Sequence, residues 1–547
     1  MIRDRINLKY TGTENTIFAR DKTYLEITPQ NKPIMRLFIF LATALILTAC
    51  NTGNSSEGQQ DEQKPNIIVI YMDDLGYGDV AAYGATELET PNIDYLANNG
   101  MRFTNGYSSS ATCSPSRYAL LTGTYPWREK NVRILPGTAP LVIDTSTITL
   151  PKMLKEKGYY TGLVGKWHLG LGSGHVDWNQ HISPGPNEVG FDYSYIMAAT
   201  QDRVPTVYIE DGDVVGLDPD DPIEINWKEN FEGEPTGKDN PELLTMKWHH
   251  GHNSSIVNGI PRIGYMKGGE KAKWNDVDMA DHFLEKAQAY VTKHKDETFF
   301  LFYAFQQPHV PRTPHPRFVG ATGMGPRGDV IAEADWCIGE FMSTLESLGI
   351  LDNTLIVFSS DNGPVLNDGY YDDAVEKLGE HKPSGELRGG KYSLFEAGTR
   401  VPFITYWKGT IEPGVSDALV CQIDLLSSIA DMVGSDVKGK DSESLSAVFL
   451  GKETEGRDQL VIEATTRTAF RKGDWLMIPP YKGQKVNKFV NIELGNSGKY
   501  QLYNLAEDLG QQQNLAESDS VKLEEMMAEF MEIRGGDFQK TEKLELK

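Results

Sequence analysis

The chain has 547 residues, long enough for one large α/β domain with an appendage, and 39% of them are hydrophobic. A formal charge of −24 excludes nucleic acid as a partner and makes a long polyanion an awkward one, unless a locally basic pocket takes a single anionic group. Four cysteines with no Cys-x-x-Cys pair exclude a disulfide framework and a thiolate zinc site.

Residues 1–49 read as an upstream segment and signal peptide. Met35-Arg36 precedes eleven residues, Leu37 to Leu47, that match a signal-peptide core and are too few to span a bilayer. Because residues 1–34 precede this signal awkwardly, Met35 is an alternative start. Leu47-Thr48-Ala49-Cys50 looks like a bacterial lipobox, which predicts lipidation at Cys50 and a lipid-anchored address in the cell envelope, at the outer membrane. An ordinary signal peptide cut nearby is the alternative. Residues 50–64, rich in Ser, Gly, Gln and Glu, read as a flexible tether.

Four continuous apolar runs then end in reactive residues. Asn66 to Met72 runs into Asp73-Asp74, and Thr161 to Gly165 into Lys166-Trp167-His168. Thr298 to Phe305 stops just short of Pro308-His309, and Thr354 to Ser360 leads to Asp361-Asn362-Gly363. Such runs predict strands buried on both faces, as in a parallel sheet. Helical spacing over Thr149 to Lys157, Val277 to His294 and Gly328 to Leu348 makes the pattern α/β, where ligands gather beyond the carboxyl ends of the strands. A large, mostly parallel sheet sandwiched by helices is predicted over 65–445. After a polar break, 446–547 predicts a smaller antiparallel sheet with a closing helix, Ser520 to Arg534.

Cys113-Ser114-Pro115-Ser116-Arg117 lies between a run of small polar residues and the apolar run Tyr118 to Leu121. Pro115 suits the first turn of a helix, so Cys113 is predicted at a helix N-terminus, where an anion is favoured, with Arg117 one turn on. Asp73, Asp74, Asp361 and Asn362 are hard oxygen ligands suited to Ca²⁺ or Mg²⁺. Arg117, Lys166, His168 and His309 are cations or potential cations suited to an anionic ester. Cys337, between Trp336 and Ile338 in a helical pattern, is predicted to be a buried free thiol.

These motifs, with Gly165 to Gly170, Pro308 to Pro311, Gly389-Gly390-Lys391 and Glu396-Ala397-Gly398, resemble the sulfatases, the arylsulfatase-type family of the alkaline-phosphatase superfamily. The resemblance runs in family order from about Lys64 to the C-terminus. It implies a smaller C-terminal subdomain and a maturation enzyme that oxidises Cys113 to formylglycine. One oxygen of the hydrated aldehyde attacks sulfur, and the second hydroxyl then expels sulfate. It further implies one Ca²⁺ held by Asp73, Asp74, Asp361, Asn362 and the modified Cys113, with Arg117, Lys166 and Lys391 on the formylglycine and sulfate oxygens. His168 would take the diol proton, and a protonated His309 would supply the leaving alkoxide.

The expected substrate is a sulfated oligosaccharide from a polysaccharide. Its sugar contacts are sought at Arg203, His249, His250, His252, Arg312 and Arg388, and in the aromatic, histidine-rich insert from Trp227 to Trp274. Two other readings stay open: a phosphomonoesterase or phosphodiesterase on the same fold, and a non-catalytic glycan-binding lipoprotein.

Overall fold

In the computed structural model, which describes residues 64–536, a ten-stranded sheet runs through the centre of the protein. Its strands in chain order are β1 (Asn66–Met72), β2 (Met101–Tyr107), β3 (Tyr160–Lys166), β4 (Tyr193–Met197), β5 (Tyr208–Glu210), β6 (Asp213–Val214), β7 (Phe299–Ala304), β8 (Thr354–Ser360), β9 (Phe403–Tyr406) and β10 (Gly414–Cys421). Across the sheet the order is β10-β2-β9-β8-β1-β7-β3-β4-β5-β6. The central strands β8, β1, β7, β3 and β4 are parallel, whereas β9 and β5 run against their neighbours. The sheet is therefore mixed and mostly parallel, as predicted.

β1 sits in the middle because both its faces are apolar. Ile67, Val69 and Tyr71 enter one core, and Ile68, Ile70 and Met72 enter the other. Helices α2 (Cys113–Thr122), α3 (Leu150–Glu156) and α6 (Leu425–Met432) cover the first face with Leu120, Leu154 and Ile429. Helices α1 (Pro91–Asn99), α4 (Met279–Lys293) and α5 (Gly325–Ser347) cover the second with Leu96, Phe283 and Phe341.

The C-terminal part forms a four-stranded antiparallel sheet, β11 (Gln459–Ala464), β12 (Arg467–Lys472), β13 (Trp475–Ile478) and β16 (Gln501–Asn504), under α7 (Ser520–Arg534). Met526 and Phe530 of α7 share a core with Phe470, Tyr107, Phe395 and Cys421. That core docks the small sheet beside the cysteine loop, where Ala111 N–H donates to the Glu463 carbonyl at 2.7 Å. Between β13 and β16 a short hairpin, β14 (Val486–Asn487) and β15 (Ile492–Glu493), projects from the small sheet.

In the insert from Trp227 to Trp274, which has only short two-stranded ribbons, Trp274 is 3% exposed and Trp227 packs over the backbone of Gly264, while Phe231, Trp248 and Tyr265 are half-buried. The signal-peptide and tether readings and the lipidation expected at Cys50 lie outside the described residues.

Candidate active site

The carboxyl ends of β1, β3, β7 and β8 deliver their polar residues to one rim, together with the N-terminus of α2. Asp74 follows β1 with φ of 67°, and His168 follows β3 with φ of 55°, both left-handed conformations that non-glycine residues adopt at a cost. Gly165 makes the second turn possible. Its φ is 112°, and a Cβ there would lie 1.8 Å from the Ala304 carbonyl of β7.

Helix α2 begins at Cys113, and the two serines of its first turn fasten the loops around it. Ser116 Oγ donates to the Ser110 carbonyl at 2.8 Å, and Ser114 Oγ accepts from Leu135 N–H at 3.3 Å. Arg117 then points into the rim. Its Nη2 and Nε lie 2.8 and 3.1 Å from Asp361 Oδ2, Nη1 donates to the Lys166 carbonyl at 3.1 Å, and the guanidinium rests over Tyr71.

Around this anchor the donors converge. Lys166 Nζ lies 2.6 Å from Asp73 Oδ2 and 3.8 Å from Asp361 Oδ2. Cys113 Sγ is 3.6 Å from Asp73 Oδ1. Asn362 Nδ2 donates to Asp74 Oδ1 at 2.7 Å, and Lys391 Nζ lies 2.8 Å from Asp74 Oδ2 and 2.9 Å from Asp368 Oδ2. One ligand atom from each of Asp73, Asp74, Cys113 and Asp361 falls within 4.8 Å of the others, all of them buried.

This cluster fits a hard divalent cation. Asn362 Oδ1 is buried with no partner, while its amide nitrogen is already engaged, so a carbonyl oxygen is free to ligate. Four buried carboxylates (Asp73, Asp74, Asp361 and Asp368) face three fixed cations (Arg117, Lys166 and Lys391). A divalent ion would reverse that negative balance and make the pocket attractive to an anion. Burial opposes ionisation at Asp361, yet Arg117 and Lys166 hold it at about 2. At Asp73, burial outweighs Lys166 and, with Asp361 and Asp74 alongside, pushes the carboxyl well above its ordinary range. Burial likewise pushes the Cys113 thiol up, leaving the unmodified side chain a protonated, poor nucleophile.

The two histidines differ in which nitrogen is free. His168 Nε2 is 3.1 Å from the Leu135 carbonyl and donates to it, so Nδ1, buried without a partner, carries a lone pair. His309 Nδ1 donates to the Val310 carbonyl at 2.7 Å, leaving Nε2 3.9 Å from Asp74 Oδ2. Burial and the charges of Lys391 and Lys166 hold His309 well below its ordinary value. The resting ring is therefore neutral. An anionic substrate alongside would draw a proton to it.

Among the expected sugar contacts, Arg203 lies at this rim, where its charge is felt by His168. Its Nη1 contacts the Thr200 hydroxyl and lies 3.4 Å from Asp202 Oδ1. His252 is buried behind it, 2.8 Å from Asp202 Oδ2. Arg388 and Arg312 already have partners within the fold. Arg388 forms a two-pronged ion pair with Glu493, donates to the Gln511 carbonyl and lies 4.0 Å over Phe395. Arg312, 2% exposed, holds the carbonyls of Pro308, Val365 and Leu366 and the Asp372 carboxylate. Both meet carboxylates of the fold, partners that a lone arginine in a loop does not reveal in sequence. Asp368 and Asp202 went unnoticed for the same reason: each sits in a polar loop with no periodicity to single it out.

Comparison with known proteins now separates the remaining readings. Residues 65–435 match the protein-family model described as Sulfatase. The chain belongs to the sulfatase family. It is 49% identical over 490 residues to an N-acetylgalactosamine-6-O-sulfatase of Bacteroides thetaiotaomicron, covering 89% of this chain and 96% of that one. Human arylsulfatase A is 32% identical, over 72% of this chain and 70% of its own. A solved Bacteroides thetaiotaomicron structure, from work on the metabolism of multiple glycosaminoglycans, superposes with a TM-score of 0.85 at 48% identity, covering 86% of this chain and all of that one. This sulfatase is therefore a sulfuric ester hydrolase, which sets aside the phosphoesterase and the non-catalytic binder.

Proposed function

We propose that this sulfatase removes the 6-O-sulfate of N-acetylgalactosamine units in oligosaccharides derived from sulfated glycosaminoglycans, using formylglycine made from Cys113 and one calcium ion. The observation that carries the substrate is the 49% identity, over nearly the full length of both chains, with an N-acetylgalactosamine-6-O-sulfatase. The calcium assignment is supported by the partnerless Asn362 carbonyl oxygen and the buried carboxylates around it.

Asp73, Asp74, Asp361 and Asn362 would hold the ion, beside residue 113. When bound, calcium supplies a Lewis acid that acidifies a hydroxyl and neutralises a sulfate oxygen. The hydrated aldehyde at position 113 supplies one oxygen for attack and a second to expel sulfate. Arg117 fixes Asp361 and adds positive charge at the N-terminus of α2. Lys166 and Lys391 bracket the site and bind sulfate oxygens, which orients the ester for in-line displacement. His168 accepts the diol proton at its free Nδ1. His309 takes up a proton at Nε2 as the anionic substrate arrives and passes it to the sugar oxygen that leaves.

The maturation enzyme that oxidises Cys113 and a lipid at Cys50 complete the proposal, with an outer-membrane envelope address resting on the Leu47-Thr48-Ala49-Cys50 motif. The test is sulfate release from 6-sulfated and 4-sulfated N-acetylgalactosamine disaccharides and from a small aryl sulfate. Fastest release from the 6-sulfated sugar is expected. Preference for the 4-sulfated isomer, or for the aryl sulfate, would overturn the substrate assignment.

A further inference from the structure

A cavity of about 440 Å³ lies beside the candidate active site, and none of Cys113, Lys166, His168 and His309 lines it. Its size falls in the range of small-ligand pockets, roughly 300–1,000 Å³. One wall is residues 364–367, the loop that leaves Asn362 and leads to Asp368. That loop is tied to the site twice: Lys391 N–H donates to the Pro364 carbonyl at 2.9 Å, and Lys391 Nζ meets Asp368 Oδ2. Residues 488–491, the turn between β14 and β15 of the C-terminal part, and Ile492 of β15 line the cavity as well.

Phe489 in that turn is 60% exposed, flanked by Lys488 and, across Val490, by Asn491. An exposed ring in a polar hairpin contributes nothing to the core. It is nonetheless held in place, its centroid 4.7 Å from the His250 ring and inclined by 25°. The hairpin beneath is fixed by the Arg388–Glu493 pair and by Ser393 Oγ, which donates to the Glu493 carbonyl at 2.6 Å. Asn367, on the 364–367 loop, lines the same cavity. An exposed ring in a cavity that is also lined by polar side chains suits a pyranose, which offers an apolar face and polar edges.

We infer that this cavity is a second sugar subsite, in which Phe489 stacks on the sugar adjoining the sulfated one. The inference rests on the glycan-sulfatase reading and deepens it, because it makes the C-terminal hairpin a determinant of oligosaccharide preference.

The test compares kcat/KM on a 6-sulfated N-acetylgalactosamine monosaccharide with that on the matching disaccharide and trisaccharide. Wild-type protein is expected to favour the longer substrates. In Phe489→Ala the ratio of oligosaccharide to monosaccharide kcat/KM should fall about fivefold, the size of one aromatic packing contact. Val375→Arg, which adds a bulky side chain in the cavity lining at a residue 53% exposed, should lower the same ratio at least as far. Equal wild-type kcat/KM on all three substrates, or a ratio unchanged in both variants, would overturn the subsite and leave the sulfatase reading intact. No sulfate release from any of them by formylglycine-bearing wild-type protein would overturn both.

Discussion

Asp74 and His168 sit in left-handed backbone conformations at the ends of β1 and β3, where they stand among Lys391, Asn362 and Leu135 instead of continuing their strands. At this scale the core of the site was legible from sequence, because reactive side chains directly followed strands whose apolar runs were unambiguous. Asp368 was not, since Asn367-Asp368-Gly369 reads as another polar turn and only the fold brings it to 2.9 Å from Lys391. The crowding of Asp73, Asp74 and Asp361 carries a prediction about metal. Calcium should raise the melting temperature of the wild type and chelation should lower it, because a ligand bound only by the folded state at a hundred times its Kd adds about 2.7 kcal/mol. In Asp74→Ala that calcium-dependent increment should vanish together with turnover, read by thermal denaturation with and without added calcium. An unchanged increment in the variant would remove Asp74 from the ligand set.

Among the elements, β1 and β8 were delimited from sequence at the residues where they are found, Asn66–Met72 and Thr354–Ser360, because each is a continuous apolar run buried on both faces and followed directly by acidic residues. β2 was missed: Met-Arg-Phe-Thr-Asn-Gly-Tyr mixes half-buried polar positions with two aromatics, and only pairing with β9 and β10 makes it a strand. Helix α5 carries a prediction of its own. Glu333, 2% exposed, accepts His315 N–H at 3.0 Å, and burial pushes its carboxyl up to about 7 from an ordinary 4.5. A folded value above the unfolded one means that Glu333 contributes stability below about pH 4.5 and loses it as pH rises through about 7. Glu333→Gln keeps the acceptor and removes the charge, so it should stabilise the protein by roughly 2 kcal/mol at pH 8 and by far less at pH 5. Chemical denaturation at the two pH values reads this directly, and an equal effect at both would mean that Glu333 is not protonated in the fold.

For the whole molecule, the sequence marked out the small C-terminal sheet and its helix, including Gln459–Ala464 and Ser520–Arg534 at the bounds found. Which residues join it to the large sheet was not legible, because such contacts depend on docking and not on local pattern. Arg388 is one of those joints. Arg388→Ala should therefore lower stability by roughly 1–2 kcal/mol through the lost Glu493 pair, the Gln511 bond and the Phe395 contact, with kcat/KM on a sulfated monosaccharide held within about twofold. A large rise in KM without loss of stability would return Arg388 to the sugar contacts. The account as a whole depends on Cys113, since Asp73, Asp74 and Asp361 gather around it at the N-terminus of α2. The most direct test is mass spectrometry of the Cys113 peptide from protein co-produced with a maturation enzyme, with sulfate release measured on the same preparations. Turnover is predicted to rise in proportion to the fraction carrying an aldehyde at position 113 and to be absent in Cys113→Ala. Full turnover from protein whose Cys113 remains an intact thiol would contradict it.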